Sequence, residues 1–400
     1  MNNAINNENK KLNVPNLRFK EFQGEWEKMR LDTFTERVMR KNKNNLSKLP
    51  LTISAQYGLV DQITFFNKVV ASTDLSNYYL LKKGEFAYNK SYSSDYPWGA
   101  IKRLDNYDQG ALSSLYICFV PQDNVVSDFI LQYFESPKWH KGISEIAVEG
   151  ARNHGLLNVA VQDFFHTYHY VPKDKKEQIK ISKLLMLLDE RIVTQNKIIE
   201  DLKKLKCAII ETEYNSKGHE YRIGDIIEQK SLRNKSNLVK TVLSVNNKLG
   251  FINQDEQFED RIVASEDTSN YKVVTKDDFA YNPARINVGS IARLKSYDKG
   301  IVSPMYICFK VTDSIVPEYL ESYFATNQFF KEMQKRLEGS VRLCLSFEGL
   351  CNIPVVIPNM DEQAEIGKRI HLLENKIETE CNILSQYEKQ KQYLLRQMFI

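Results

Sequence analysis

The sequence predicts an α+β chain made of two repeated globular domains, each followed by a long helix, the two helices forming an antiparallel coiled coil with pseudo-two-fold symmetry. Three observations predict it: an internal repeat near half of the 400 residues, strand-forming runs inside each copy, and a heptad-like stretch after each copy. A lead-in (1–25) precedes a first domain (26–172) and a central helical spacer (173–217); a second domain (218–358) and a C-terminal helical spacer (359–400) follow.

The repeat is read by laying the chain on itself. Ser76-Asn77-Tyr78 and Phe86-Ala87-Tyr88-Asn89 return as Ser269-Asn270-Tyr271 and Phe279-Ala280-Tyr281-Asn282. Arg103-Leu104 and Tyr116-Ile117-Cys118-Phe119 return as Arg293-Leu294 and Tyr306-Ile307-Cys308-Phe309. Glu149-Gly150 with Arg152 returns as Glu338-Gly339 with Arg342. Within each copy, apolar runs such as Ser114 to Val120 and Met305 to Val311 read as strands bounded by Gly, Asp and Asn turns. Val126 to Phe134 and Val316 to Phe330 read as short helices.

After Pro172 and Pro358 the chain turns long, charged and helix-favouring. Ile181, Leu185, Leu188, Ile192, Gln195, Ile199, Leu202, Lys206 and Ile209 step alternately by four and three, which keeps one seam turned toward a partner helix. Ile366, Ile370, Leu373, Ile377, Glu380, Leu384, Tyr387, Lys391 and Leu394 repeat the pattern, polar interruptions included. Two amphipathic helices lying on their own domains are the alternative. The second domain begins near Tyr221, a few residues past the first helix, so it sits at the end of one helix and the start of the other. The helices are then antiparallel if they pair.

With 42% hydrophobic and 26% charged residues the chain can bury sizeable cores. A net charge of +4 does not announce a nucleic-acid partner, so local clustering must decide. The polar opening and the lack of a long apolar run argue for a cytoplasmic protein without a membrane segment. Six scattered cysteines, never spaced as CxxC, suggest reduced buried thiols rather than a zinc or disulfide framework. No phosphate-binding glycine loop is present. Asn282-Pro283-Ala284-Arg285 lacks the second proline and the aromatic of the adenine-methyltransferase motif, and Asp174 reads as a helix cap rather than a nuclease carboxylate. No catalytic residue and no metal ligand is expected.

DNA contacts are expected at two places in each copy. A basic, Asn-rich turn after the first helix of each copy holds Arg37, Arg40, Lys41 and Lys43, and again Lys230, Arg233 and Lys235, suited to phosphates or else an ordinary solvated charge run. Base reading should lie where the copies diverge. After each Tyr-Asn, at Asn89 and Asn282, run Lys90 to Trp98 and Pro283 to Val288, with Lys90, Tyr92, Trp98, Arg285 and Asn287 as candidates and a variable surface loop as the alternative. Tyr57 opposite Leu249, and Arg152-Asn153-His154 opposite Val341-Arg342-Leu343, also differ. Arg152 and Arg342 stand out, since the neighbouring glycine admits a close backbone approach, although either could be an ion-pair partner. The helical seam is roughly 40 Å long, close to one turn of B-DNA at about 34 to 36 Å. It could act as a ruler between two unlike half-sites.

These residues together resemble the specificity subunits of type I restriction-modification systems. The resemblance spans nearly the whole chain and rests on Val14-Pro15-Asn16-Leu17-Arg18-Phe19 with Trp26, on the repeated order of domain then helix, and on the helix openings Pro172 with Glu177-Gln178 and Pro358 with Glu362-Gln363. It implies two target-recognition domains, each reading one part of a bipartite, asymmetric site on double-stranded DNA. It also implies partners: two methyltransferase subunits bringing S-adenosylmethionine, and two ATP- and Mg-dependent restriction subunits, with no cofactor in this chain itself. A stand-alone pseudo-dimeric DNA-binding regulator, or a coiled-coil protein adaptor, remains open from sequence.

Overall fold

The computed structural model describes residues 12–68, 71–147, 155–214, 218–247, 249–254, 267–340 and 342–400. The chain divides into two compact units, residues 1–195 with 383–400, and residues 196–382. Each unit is a mixed α+β body rich in sheet.

The first unit holds strands β1 (Glu27–Arg30), β2 (Thr35–Arg37), β3 (Pro50–Ser54), β4 (Gly58–Asp61), β5 (Tyr79–Lys82), β6 (Phe86–Asn89), β7 (Ala100–Arg103), β8 (Gln109–Leu112), β9 (Ile117–Pro121) and β10 (Tyr168–Val171). They form sheets ordered β2-β9-β6-β7 and β4-β3-β8-β5 and a ribbon β1-β10. The second unit holds β11 (His219–Arg222), β12 (Ile227–Lys230), β13 (Val242–Asn246), β14 (Gly250–Asn253), β15 (Lys272–Thr275), β16 (Phe279–Tyr281), β17 (Ile291–Arg293), β18 (Lys299–Val302), β19 (Ile307–Val311) and β20 (Pro354–Ile357). Their orders are β12-β19-β16-β17, β14-β13-β18-β15 and β11-β20, the same plan.

The repeated motifs are the core of that plan. Side chains alternate across a strand, so Phe86, Tyr88, Ile117 and Phe119 face the helices while Ala87 and Cys118 face the second sheet. Phe279, Tyr281 and Phe309 against Ala280 and Cys308 divide in the same way. Phe86 stacks on Phe119 at 5.4 Å between centroids, and Phe279 on Phe309 at 5.1 Å. The second sheets need a glycine: a Cβ at Gly110 would lie 2.3 Å from Leu51 Cδ1, and one at Gly300 2.4 Å from Leu243 Cδ1.

The local expectations meet three corrections. Each basic turn follows one 3-10 turn (Leu31–Thr33, Ile223–Asp225) and a short strand rather than a helix. The stretch 316–330 is two helices, Pro317–Tyr323 and Asn327–Gln334, because the Thr326 hydroxyl accepts from the Phe329 N–H at 3.0 Å and starts the second. The strand-forming runs begin later than expected, at Ile117 and Ile307, since Ser113–Tyr116 and Ser303–Tyr306 close a turn first.

Two long helices follow, Lys175–Glu213 and Met360–Gln397. Their openings explain the Glu-Gln pairs. Gln178 accepts from the Val126 N–H (2.7 Å) and donates to the Pro172 carbonyl (2.8 Å); Gln363 accepts from the Val316 N–H (2.8 Å) and donates to the Pro358 carbonyl (2.9 Å). Buried Glu177 is held by Arg18, at 2.7 and 2.8 Å, and by the Trp26 indole N–H at 3.2 Å, which is the physical content of the lead-in motif.

Each unit contains part of both helices. In the first, Ile181, Leu185 and Leu188 share one core with Leu394, Leu395 and Phe399, Ile192 and Tyr387 pack at its edge, and Lys391 pairs with Asp189 at 2.5 Å. Trp26 touches both Glu177 and Phe399. In the second, Ile210 shares a core with Ile366 and Ile370, Lys206 pairs with Glu374 at 2.5 Å, and Arg369 pairs with Glu213 at 2.8 Å. Ile199 is buried, while Leu202, Leu373, Ile377 and Leu384 are half-buried. At the end of the first helix the buried position is Ile210, not Ile209, because Ile210 packs into the core of the second unit.

Candidate nucleic-acid interface

In the second unit the two segments that diverge from the first copy come together in space. In the first unit the loop after β6 lies along residues 155–157: Leu157 N–H donates to Lys90 O (2.9 Å), Tyr92 N–H donates to Gly155 O (3.0 Å), and Ser91 bridges Leu156. Arg152, Asn153 and His154 immediately precede that stretch in sequence and lie outside the described residues. In the second unit Leu345 N–H donates to Pro283 O (3.1 Å), which sets the segment after β16 against a hairpin closed by two Glu338–Cys344 backbone bonds of 2.9 and 2.8 Å.

At these segments two glycines allow tight local turns. Gly339 has φ +119°, and a Cβ there would meet the Arg342 carbonyl oxygen at 2.3 Å. Gly99 has φ +77°, and its Cβ would meet the Asn89 carbonyl at 2.1 Å.

Not every predicted residue faces outward. Asn89 and Asn282 spend their side-chain oxygens on the loop itself, accepting from Ser91 N–H (3.0 Å) and Ala284 N–H (3.1 Å). Trp98 packs its ring on the first core, and its carbonyl accepts from the Tyr88 hydroxyl at 2.9 Å. Lys90 is half-buried, reaching toward Val159 O, and Asn287 is half-buried in the 3-10 turn Ile286–Val288. Tyr92, Arg285 and Arg342 are exposed, and among the described residues the two arginines have no ion-pair partner.

The basic turns divide likewise. Arg40 donates to Glu85, whose carboxylate is nearly buried, at 3.1 Å, and Lys230 pairs with buried Asp278. Lys41 donates to Asn77 O at 2.8 Å and Arg233 to Asn270 O at 3.0 Å. Among the described residues Arg37, Lys43 and Lys235 are exposed with no ion-pair partner, whereas a buried carboxylate holds Arg40 and Lys230 and a backbone carbonyl holds Lys41 and Arg233. Tyr57, at the β3–β4 tip, and Leu249, at the β13–β14 tip, are strongly exposed. Sequence reasoning missed Phe65 and Phe66 beside Tyr57. Their rings lie 6.5 Å (Tyr57–Phe65) and 5.0 Å (Phe65–Phe66) apart and half-exposed, and the signal was available as three aromatics within ten residues.

The Asp174 carboxylate accepts from the Lys176 N–H at 2.8 Å as a helix cap. His169 is buried between the Tyr133 and Thr167 hydroxyls at 2.9 and 2.8 Å, and burial pushes it down to about 3. Among the described residues no group of three His, Cys, Asp or Glu side chains could hold a metal ion. Among the described residues no helix is long and apolar enough to cross a membrane.

Comparison with known proteins bears on this arrangement. The sequence model of the family described as "Type I restriction modification DNA specificity domain" matches residues 215–389. No curated protein matches the chain. Among solved structures, the S subunit of a type I restriction-modification system from M. genitalium is 17% identical, with 97% of this chain and 99% of that chain covered at a TM-score of 0.56. A chain solved in work on complex assembly and conformational transition of the type I R-M system is 12% identical, with 92% and 96% covered at 0.55. At these identities the likeness is one of fold.

Proposed function

We propose that this chain, whose residues 215–389 match the type I restriction modification DNA specificity domain, is the specificity subunit of such a system, reading a bipartite asymmetric target with one recognition domain per half. The domains are 26–172 and 218–358; the helical segments 173–217 and 359–400 space them as an antiparallel coiled coil. The observation that carries the reading is the convergence, in the second unit, of two segments that differ from their counterparts in the otherwise matching copy. A scaffold repeated for its core and varied at one surface is a scaffold for reading two different sequences. Arg285 and Arg342 in the second unit, and Tyr92 with Arg152, Asn153 and His154 in the first, are the base-reading candidates. The pairs Asp189–Lys391, Lys206–Glu374 and Glu213–Arg369 support the antiparallel seam, since the first partner rises as the second falls.

The chemistry would belong to partners: two methyltransferase subunits carrying S-adenosylmethionine and modifying adenine, and two restriction subunits using ATP and Mg. Long-read methylation mapping of DNA from cells expressing this chain with its methyltransferase subunit tests the reading. A split motif, modified on both strands only when both proteins are present, is the expected result. An assembled complex that leaves no modified motif refutes it.

A further inference from the structure

One surface of the molecule is repeated where its neighbours diverge. After β2, Asn42-Lys43-Asn44-Asn45-Leu46-Ser47-Lys48 forms a turn that Asn234-Lys235-Ser236-Asn237-Leu238-Val239-Lys240 rebuilds after β12. Asn42 and Asn234 are buried, and each closes its turn with both ends of its carboxamide: Nδ2 to Ser47 O (2.8 Å) and Val239 O (2.9 Å), Oδ1 from Ser47 N–H (2.8 Å) and Val239 N–H (3.2 Å). Their own N–H groups donate to Tyr78 O and Tyr271 O, both at 2.9 Å. Asn45 and Asn237 sit in the left-handed region at φ 53° and 52° and are tied to Leu75 N–H (3.0 Å) and the Thr268 hydroxyl (2.9 Å). Lys41 and Arg233 lock the base of each turn on the Asn77 and Asn270 carbonyls.

So rigid a turn presents an unusual outer face. Leu46 is 66% exposed and Leu238 81% exposed, each flanked by exposed lysines, Lys43 and Lys48 or Lys235 and Lys240, which have no ion-pair partner among the described residues. A face kept the same while the neighbouring segments differ suits a ligand that is the same at both halves. The sugar-phosphate backbone is such a ligand, and its charge complements the lysines. Topology agrees: β2 and β6 both run antiparallel to β9, and β12 and β16 to β19, so in each unit the turn and the divergent segment follow strands that point the same way.

We infer that Leu46 with Lys43 and Lys48, and Leu238 with Lys235 and Lys240, are two copies of a sequence-blind clamp on the DNA backbone, the lysines on phosphates and the leucine against deoxyribose. The inference rests on the specificity-subunit reading and adds to it the source of affinity that carries no base preference.

The test uses the full chain assembled with its methyltransferase subunits, binding its target duplex and a scrambled duplex between about 50 and 200 mM salt. The quadruple variant Lys43→Ala, Lys48→Ala, Lys235→Ala, Lys240→Ala flattens the slope of log affinity against log salt by about 3 to 4, at about 0.9 per phosphate. The ratio of target to scrambled affinity stays unchanged, and arginine at the four positions restores the slope. Leu46→Ala with Leu238→Ala weakens both duplexes roughly tenfold and leaves the slope alone. An unchanged slope in the quadruple variant overturns the clamp, as does a shifted target-to-scrambled ratio, which makes the turns base readers. Loss of the methyltransferase subunits from the complex overturns it in favour of a protein-docking role. A wild-type complex with no preference for any duplex sinks the specificity reading instead, and its salt slope still judges the clamp.

Discussion

A guanidinium can read a base only if no carboxylate claims it first. Arg103 is taken by Asp128 at 2.7 Å, Arg293 by Glu318 at 2.5 Å, and Arg40 by Glu85, whereas Arg285 and Arg342 stand exposed. Arg285→Ala and Arg342→Ala are expected to cost about 1 to 3 kcal/mol of discrimination at one base pair each, visible as a relaxed position in one half of the methylated motif while the other half is kept. Arg40→Ala should behave differently, lowering the thermal midpoint with the motif unchanged, because it strands a nearly buried carboxylate. The sequence displayed these cations but not their partners: Glu85 is 45 residues from Arg40. The legible trace was the repeat itself, which keeps an acid at Glu85 and Asp278. Thiols divide in the same spirit. Burial pushes Cys118 and Cys308 up to about 12, so in the native protein at pH 8 they should resist alkylation while the exposed Cys207 and Cys381 are modified, as mass spectrometry would show.

Among the elements, the strands and long helices were readable because their periodicities are set by burial: Phe86 and Tyr88 on one face, Ala87 on the other, and Ile181, Leu185 and Leu188 along one helical stripe. The breaks were not. Thr326 ends one helix by capping the next, a choice between two local hydrogen-bonding states that composition barely weights. The ribbon β1-β10 carries a pH dependence. His169 is held neutral by burial, so its folded pKa, about 3, lies below the unfolded value near 6.5. The unfolded chain therefore binds more protons across that window, and the stabilisation present above about pH 6.5 is lost progressively as pH falls toward 3. Denaturant titrations of wild type and His169→Gln should show a shallower decline in the variant over that window; parallel curves would assign the acid sensitivity elsewhere.

At the scale of the molecule, the duplicated plan was legible from matching blocks, and the identical strand orders of the two units restate it in hydrogen bonds. What the sequence did not disclose is how the chain is apportioned, since a unit can recruit residues from far along it. Exchanging 26–172 for the equivalent domain of a relative is expected to change one half of the methylated motif only, and removing one heptad from both helices should alter the gap between halves. The first unit completes its core with Leu394, Leu395, Met398 and Phe399, whereas the second is continuous from 196 to 382. Synthesis supplies every residue of the second unit by position 382, whereas the first unit's core lacks Leu394 to Phe399 until 17 further residues have been added.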